Sequence, residues 1–135
     1  MELIALLSTG KGTWGQVAGL VNRGEWDNII LIGNEFAEKF SCDKPHEFIK
    51  IDSNDKVIDL RDKLKEKLKP KIKGIEVALS VASGDGKEHM ALISALLSIP
   101  VGIRLIVLTQ DGILDLTKQG KSIIDFEKGD NTTFL

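Results

Sequence analysis

Leu3-Ile4-Ala5-Leu6-Leu7-Ser8-Thr9-Gly10-Lys11-Gly12-Thr13-Trp14-Gly15 runs from an unbroken apolar stretch into a glycine-rich turn. A second stretch repeats the plan: Val77-Ala78-Leu79-Ser80-Val81-Ala82-Ser83-Gly84-Asp85-Gly86-Lys87-Glu88-His89-Met90. An apolar run of this length reads as a strand covered on both faces. A strand, a glycine turn and a helix in succession aim backbone N–H groups and a helix N-terminus at one point, where an anion binds well. Two such units in one sheet predict a single shared cleft.

Working outward, the spacing of Val17, Leu20 and Val21 predicts a helix over about 13–22, ended by Gly24. Residues 28–32 read as a second strand broken by Gly33, and 35–40 as a short helix with Phe36, Ala37 and Phe40 on one face. Residues 48–51 read as a third strand. Ser53, Asn54 or Asp55 then caps a helix whose stripe is Val57, Leu60, Leu64 and Leu68. Residues 75–81 form the fourth strand. The helix over 87–98 is apolar nearly all round, which predicts burial on more than one side. Residues 103–109 form the fifth strand. Asp111-Gly112 is a hairpin signal leading into 113–116, and 122–126 adds a further edge strand. The polar tail from Gly129 is expected to be mobile.

Strands alternating with helices predict an α/β fold: a Rossmann-like three-layer sandwich, with helices on both faces of a mainly parallel sheet. Right-handed crossovers favour the order 3-2-1-4-5, with a C-terminal antiparallel hairpin. Strands 1 and 4 are then neighbours at the point where the winding reverses. Ligands bind there, outside the carboxyl ends of the strands. Both glycine turns emerge at that place.

The chain has 135 residues, which fits a single domain over 1–135 with a real core. Its net charge of −2 argues against gripping a long nucleic acid and leaves room for a small anion. Cys42 is the only cysteine, so no intramolecular disulfide forms, as suits a reducing cytoplasm. The apolar start follows Glu2, lacks a basic segment before it and is too short to span a membrane. A membrane partner is therefore not expected.

The candidate ligand residues are Ser8, Thr9, Gly10, Lys11, Gly12 and Thr13 in the first turn, and Ser83, Gly84, Asp85, Gly86 and Lys87 in the second. Lys11 and Lys87 supply point charges for phosphate; either could equally lie in solvent. Hydroxyls of Ser8, Thr9 and Ser83 could meet phosphate or ribose, and the two serines could instead cap backbone. Asp85 suits a helix cap or a ribose contact. His89 is a candidate acid–base group, against the blander reading of a surface residue. Trp14 could stack on a base, but beside an apolar face packing is the plainer role.

Several chemistries fit poorly. Gly10, Gly12 and Gly15 formally match the dinucleotide fingerprint, and Glu35 follows at the interval of a ribose-binding acid. Trp14, however, would crowd a pyrophosphate. The second turn lacks the Walker spacing, and Glu88 stands where Ser or Thr would hold magnesium. Cys42, His46 and the nearby acids have no zinc spacing. No metal and no cofactor are expected.

The second stretch resembles the fourth strand, loop and helix of the CRISPR-associated Rossmann-fold (CARF) family. Ser83, Gly84, Gly86, Lys87 and Met90 carry that resemblance; the loop is one residue longer, and Ser80 stands where asparagine is common. The first turn, 8–13, matches the family's other ligand loop in position and small-residue character. The resemblance implies a cytoplasmic homodimer of antiviral defence, joined through the 90–97 helix, that binds a cyclic oligoadenylate second messenger. It implies a sensor detached from its effector, a fragment of a longer protein, or a metal-independent ring nuclease. In a nuclease Lys87, Ser83 and His89 would be the catalytic candidates, holding a ribose 2′-hydroxyl in line with the next phosphate. A small NAD-binding regulatory domain using Glu35 is the third reading.

Overall fold

The computed structural model describes residues 1–10, 12–118, 121–124 and 134–135, the backbone alone at 121–124. Among these residues seven strands form one sheet: β1 (Glu2–Leu6), β2 (Ile29–Gly33), β3 (Glu47–Lys50), β4 (Glu76–Ser80), β5 (Gly102–Thr109), β6 (Gly112–Asp115) and β7 (Lys121–Ile124). Their order is β3-β2-β1-β4-β5-β6-β7. The first five in that order are parallel, with Leu3 opposite both Ile29 and Ala78, and Leu79 opposite Leu105. β5, β6 and β7 pair antiparallel, with an irregularity between Ile113 and Leu114. Strands 1 and 4 are neighbours, as the crossover argument requires.

Among the described residues three α-helices cover the sheet: α1 (Trp14–Arg23), α2 (Val57–Leu68) and α3 (Gly86–Leu97). Successive residues of a strand face opposite sides, so β1 feeds two cores. Leu3, Ala5 and Leu7 pack with Val17, Leu20 and Val21 of α1. Ile4 and Leu6 pack with Leu60, Leu64 and Leu68 of α2 and Leu92 and Leu96 of α3. β1 and β2 are buried along their whole length. This is the Rossmann-like sandwich.

The first four strand boundaries fall one residue earlier or later than the sequence suggests. Two helix readings need correction. α2 is capped at Lys56 with no side-chain bond, not by Ser53, Asn54 or Asp55. Its first apolar residue, Val57, is exposed rather than in the core. α3 is buried on one side only: Met90 and Leu97 are 61% and 73% exposed. The hairpin turn forms as read, with Thr109 opposite Gly112 and Gly112 at φ 111°. Of the last expected strand, 121–124 is present; residues 125–126 and the tail residues 129–133 lie outside the described residues.

β5 outruns β4, and the backbone of Leu108 needs another partner. Gln16, fully buried on α1, meets both groups: its Nε2 donates to the Leu108 carbonyl at 3.1 Å, beside the Leu135 N–H, also at 3.1 Å, and its Oε1 accepts the Leu108 N–H at 2.6 Å.

Candidate functional site

The two glycine turns meet. β1 and β4 are neighbours, so the segments leaving their carboxyl ends run side by side, and the Ser8 N–H donates to Ser83 Oγ at 2.7 Å. Ser83 is almost wholly buried. Ser8 is fully engaged: its hydroxyl donates to the Gly10 carbonyl, and its own carbonyl accepts from Trp14 Nε1 at 3.2 Å. Trp14 packs against Phe36 and Phe40, ring centroids 5.7 and 5.8 Å away, and so takes the packing role. Thr9, Gly10 and Gly12 are exposed, and Thr13 starts α1 without a side-chain cap. A methyl group added at Gly10 or Gly12 would meet nothing within 4 Å. Lys11 lies outside the described residues.

The second turn is more constrained. Gly84 has φ 96°, a left-handed conformation that glycine adopts without steric cost. Asp85 caps α3 in a reciprocal box: its carboxylate accepts the Glu88 N–H at 2.8 Å, and Glu88 Oε1 accepts the Asp85 N–H at 2.9 Å. That leaves the N–H groups of Gly86 and Lys87 without a partner among the described residues. Burial pushes the Glu88 carboxyl above its ordinary range; the backbone bond from Asp85 opposes this. His89 Nε2 lies 2.8 Å from the Ser83 carbonyl. A carbonyl only accepts, so Nε2 carries a proton and Nδ1 is left for other chemistry.

Lys87 is directed elsewhere. Its Nζ donates to the carbonyls of Ser53 and Asp55, the latter at 2.8 Å. The ammonium ties the α3 N-terminus to the loop that precedes α2. The three catalytic candidates, Lys87, Ser83 and His89, thus all hold backbone groups. Glu35 is exposed, at the start of a short turn (Glu35–Lys39) capped by Asn34.

The most pronounced groove among the described residues does not lie between the two turns. It is a groove of about 780 Å³ beside them, at the carboxyl ends of β2 and β3, bordered by α2. Asn34, Asp52 and Ser53 line it and were missed in the sequence. Their one signal was position, directly after the two strands. Cys42 and His46, unconnected in the sequence reading, are in contact, Sγ to Nδ1 at 3.2 Å. Among the described residues no group of three or more His, Cys, Asp or Glu is placed to hold a metal ion, and no helix is long and apolar enough to cross a membrane. Comparison with protein-family models finds no match, and neither does comparison with curated proteins.

Proposed function

We propose that this protein is a nucleotide-binding sensor whose ligand is a cyclic oligoadenylate, bound where the loops after β1 and β4 meet. The observation that carries this reading is the Ser8–Ser83 hydrogen bond, which joins the two loops at the switch point of the sheet. The unpartnered N–H groups of Gly86 and Lys87 suit a phosphate, and the open space over Gly10 and Gly12 lets one approach closely. The CARF-like second stretch narrows the nucleotide to the cyclic messenger. Binding rather than cleavage is favoured because Lys87, Ser83 and His89 each serve a backbone partner.

The same reading makes the protein a homodimer. Met90 and Leu97 are seven positions apart on α3, so they lie on one exposed stripe, with Ile93 between them. Val57 and Ile58 of α2 continue the apolar surface. Isothermal titration with cyclic tetra- and hexa-adenylate tests the function. Heat from one of them supports it; silence from both, with heat from NAD or ATP, overturns it. Recovery of intact ligand after incubation in EDTA separates a sensor from a ring nuclease.

A further inference from the structure

The groove beside the switch point adjoins the first loop. Leu7 and Gly33 are neighbours across β1 and β2: a methyl group added at Gly33 would stand 3.2 Å from the Leu7 carbonyl. Asn34 therefore starts the groove about one strand spacing, roughly 4.8 Å, from the start of the Ser8 loop. On its other side the groove shares Ser53 and Asp55 with Lys87. A ligand with phosphate at the switch point thus has its next atoms at the groove mouth.

The groove's size falls within the usual range for small-molecule sites. Its floor is apolar, built from Ile51, Leu60 and Leu64, with Phe36 at one wall. Its charges balance: Lys50, Lys63 and Lys67 against Glu35, Asp52 and Asp55. Such a lining suits the neutral part of a nucleotide better than its phosphate.

The rim is selective in what it leaves free. Asp55 is spent on Lys63 at 2.9 Å. Asn34 is spent on Ser53 and on the Ala37 N–H. Asp52 Oδ1 accepts the Asn54 N–H at 2.9 Å, but its second oxygen has no partner among the described residues, and neither has the exposed Glu35 carboxylate. Carboxylate oxygens left without donors on both residues, beside an apolar floor, call for an aromatic ring bearing an amine, and for vicinal hydroxyls.

We propose that this groove receives one adenine and its ribose from the bound nucleotide, with Glu35 and Asp52 accepting from the exocyclic amine and the ribose hydroxyls. This rests on the nucleotide reading above. The test is amide-resolved NMR titration of the whole chain with cyclic tetra-adenylate, repeated on Glu35→Gln/Asp52→Asn. Both positions are exposed, so the variant keeps its fold. The expected result is movement of amides at 34–35 and 51–55 together with those at 8–10 and 84–87, and at least tenfold weaker binding by the variant. Movement of the two loops alone, or unchanged affinity in the variant, overturns the groove assignment and leaves the nucleotide reading standing. Movement of neither set overturns both.

Discussion

Ser8 and Ser83 are 75 residues apart in the chain and one hydrogen bond apart in space, N–H to Oγ at 2.7 Å. The bond makes the two glycine turns one structural unit. Ser83→Ala leaves the Ser8 N–H with no acceptor in a part-buried position. The expected cost is about 1 kcal/mol, toward the lower end for a lost acceptor because Ser8 keeps some access to water. Urea denaturation measures it, and an unchanged midpoint would show that water replaces the hydroxyl freely. Nucleotide affinity should fall with it, since the loops lose their shared tie.

Lys87 sets up a competition. Its ammonium serves the carbonyls of Ser53 and Asp55. A phosphate at the α3 N-terminus would draw that charge toward itself and loosen the 52–56 loop. Lys87→Ala removes the charged hydrogen bond to the ligand, so cyclic tetra-adenylate should bind about 1.5–3 kcal/mol more weakly. Calorimetric titration reads this directly. Unaltered affinity would confine Lys87 to holding the carbonyls of Ser53 and Asp55.

How far the sequence carries the structure differs from residue to residue. The strand order was legible because 3–7, 29–32 and 77–79 are apolar without interruption, and glycine follows each near its carboxyl end. Capping by Asp85 was legible because its partner, Glu88, is three residues away. The start of α2 was not. Ser53, Asn54 and Asp55 all suit a cap, but Asn34 takes the Ser53 hydroxyl and Lys63 takes the Asp55 carboxylate. The tie from Lys87 was equally hidden, since it spans 32 positions and depends on the two helices packing together. Local rules found the turns; long-range packing decided where their charges went.

Gln16 illustrates a contact no local pattern announces, for its partner Leu108 is 92 positions away. Replacing it with Ala strands the Leu108 N–H, leaves the Leu108 carbonyl with the Leu135 N–H alone at 3.1 Å, and opens a buried void. The expected loss is about 2–4 kcal/mol, from one unmet backbone N–H and the missing side chain. Gln16→Glu restores only the acceptor and should fall between the two. Equal stability of Gln16→Ala and wild type by urea denaturation would contradict this account.

The exposed stripe on α3 gives the dimer reading a direct test. Met90→Glu/Leu97→Glu should leave the stability of the monomer within about 0.5 kcal/mol, as surface substitutions generally do. It should convert a dimer to a monomer in sedimentation velocity. A wild-type chain that already sediments as a monomer at high micromolar concentration would remove the homodimer from the proposal.

Glu88 gives the fold a pH dependence of defined sign. Burial raises its folded pKa, so the native state holds the proton more tightly than the unfolded chain does, whose value is about 4.3. The stabilisation tied to this proton is fully present below that unfolded value. It is lost as pH rises through the folded one. Glu88→Gln keeps an acceptor for the Asp85 N–H and removes the ionisation. The variant should match wild type near pH 4 and become progressively more stable than it as pH rises toward 8. Urea denaturation across that range, read as the difference between the two proteins, isolates this group from others such as Glu47. Lys71 and Asn28 hydrogen bonds lower the Glu47 pKa, which gives the opposite slope. Parallel stability curves for the two proteins would mean that the Glu88 carboxylate ionises in its capping box as easily as in the unfolded chain.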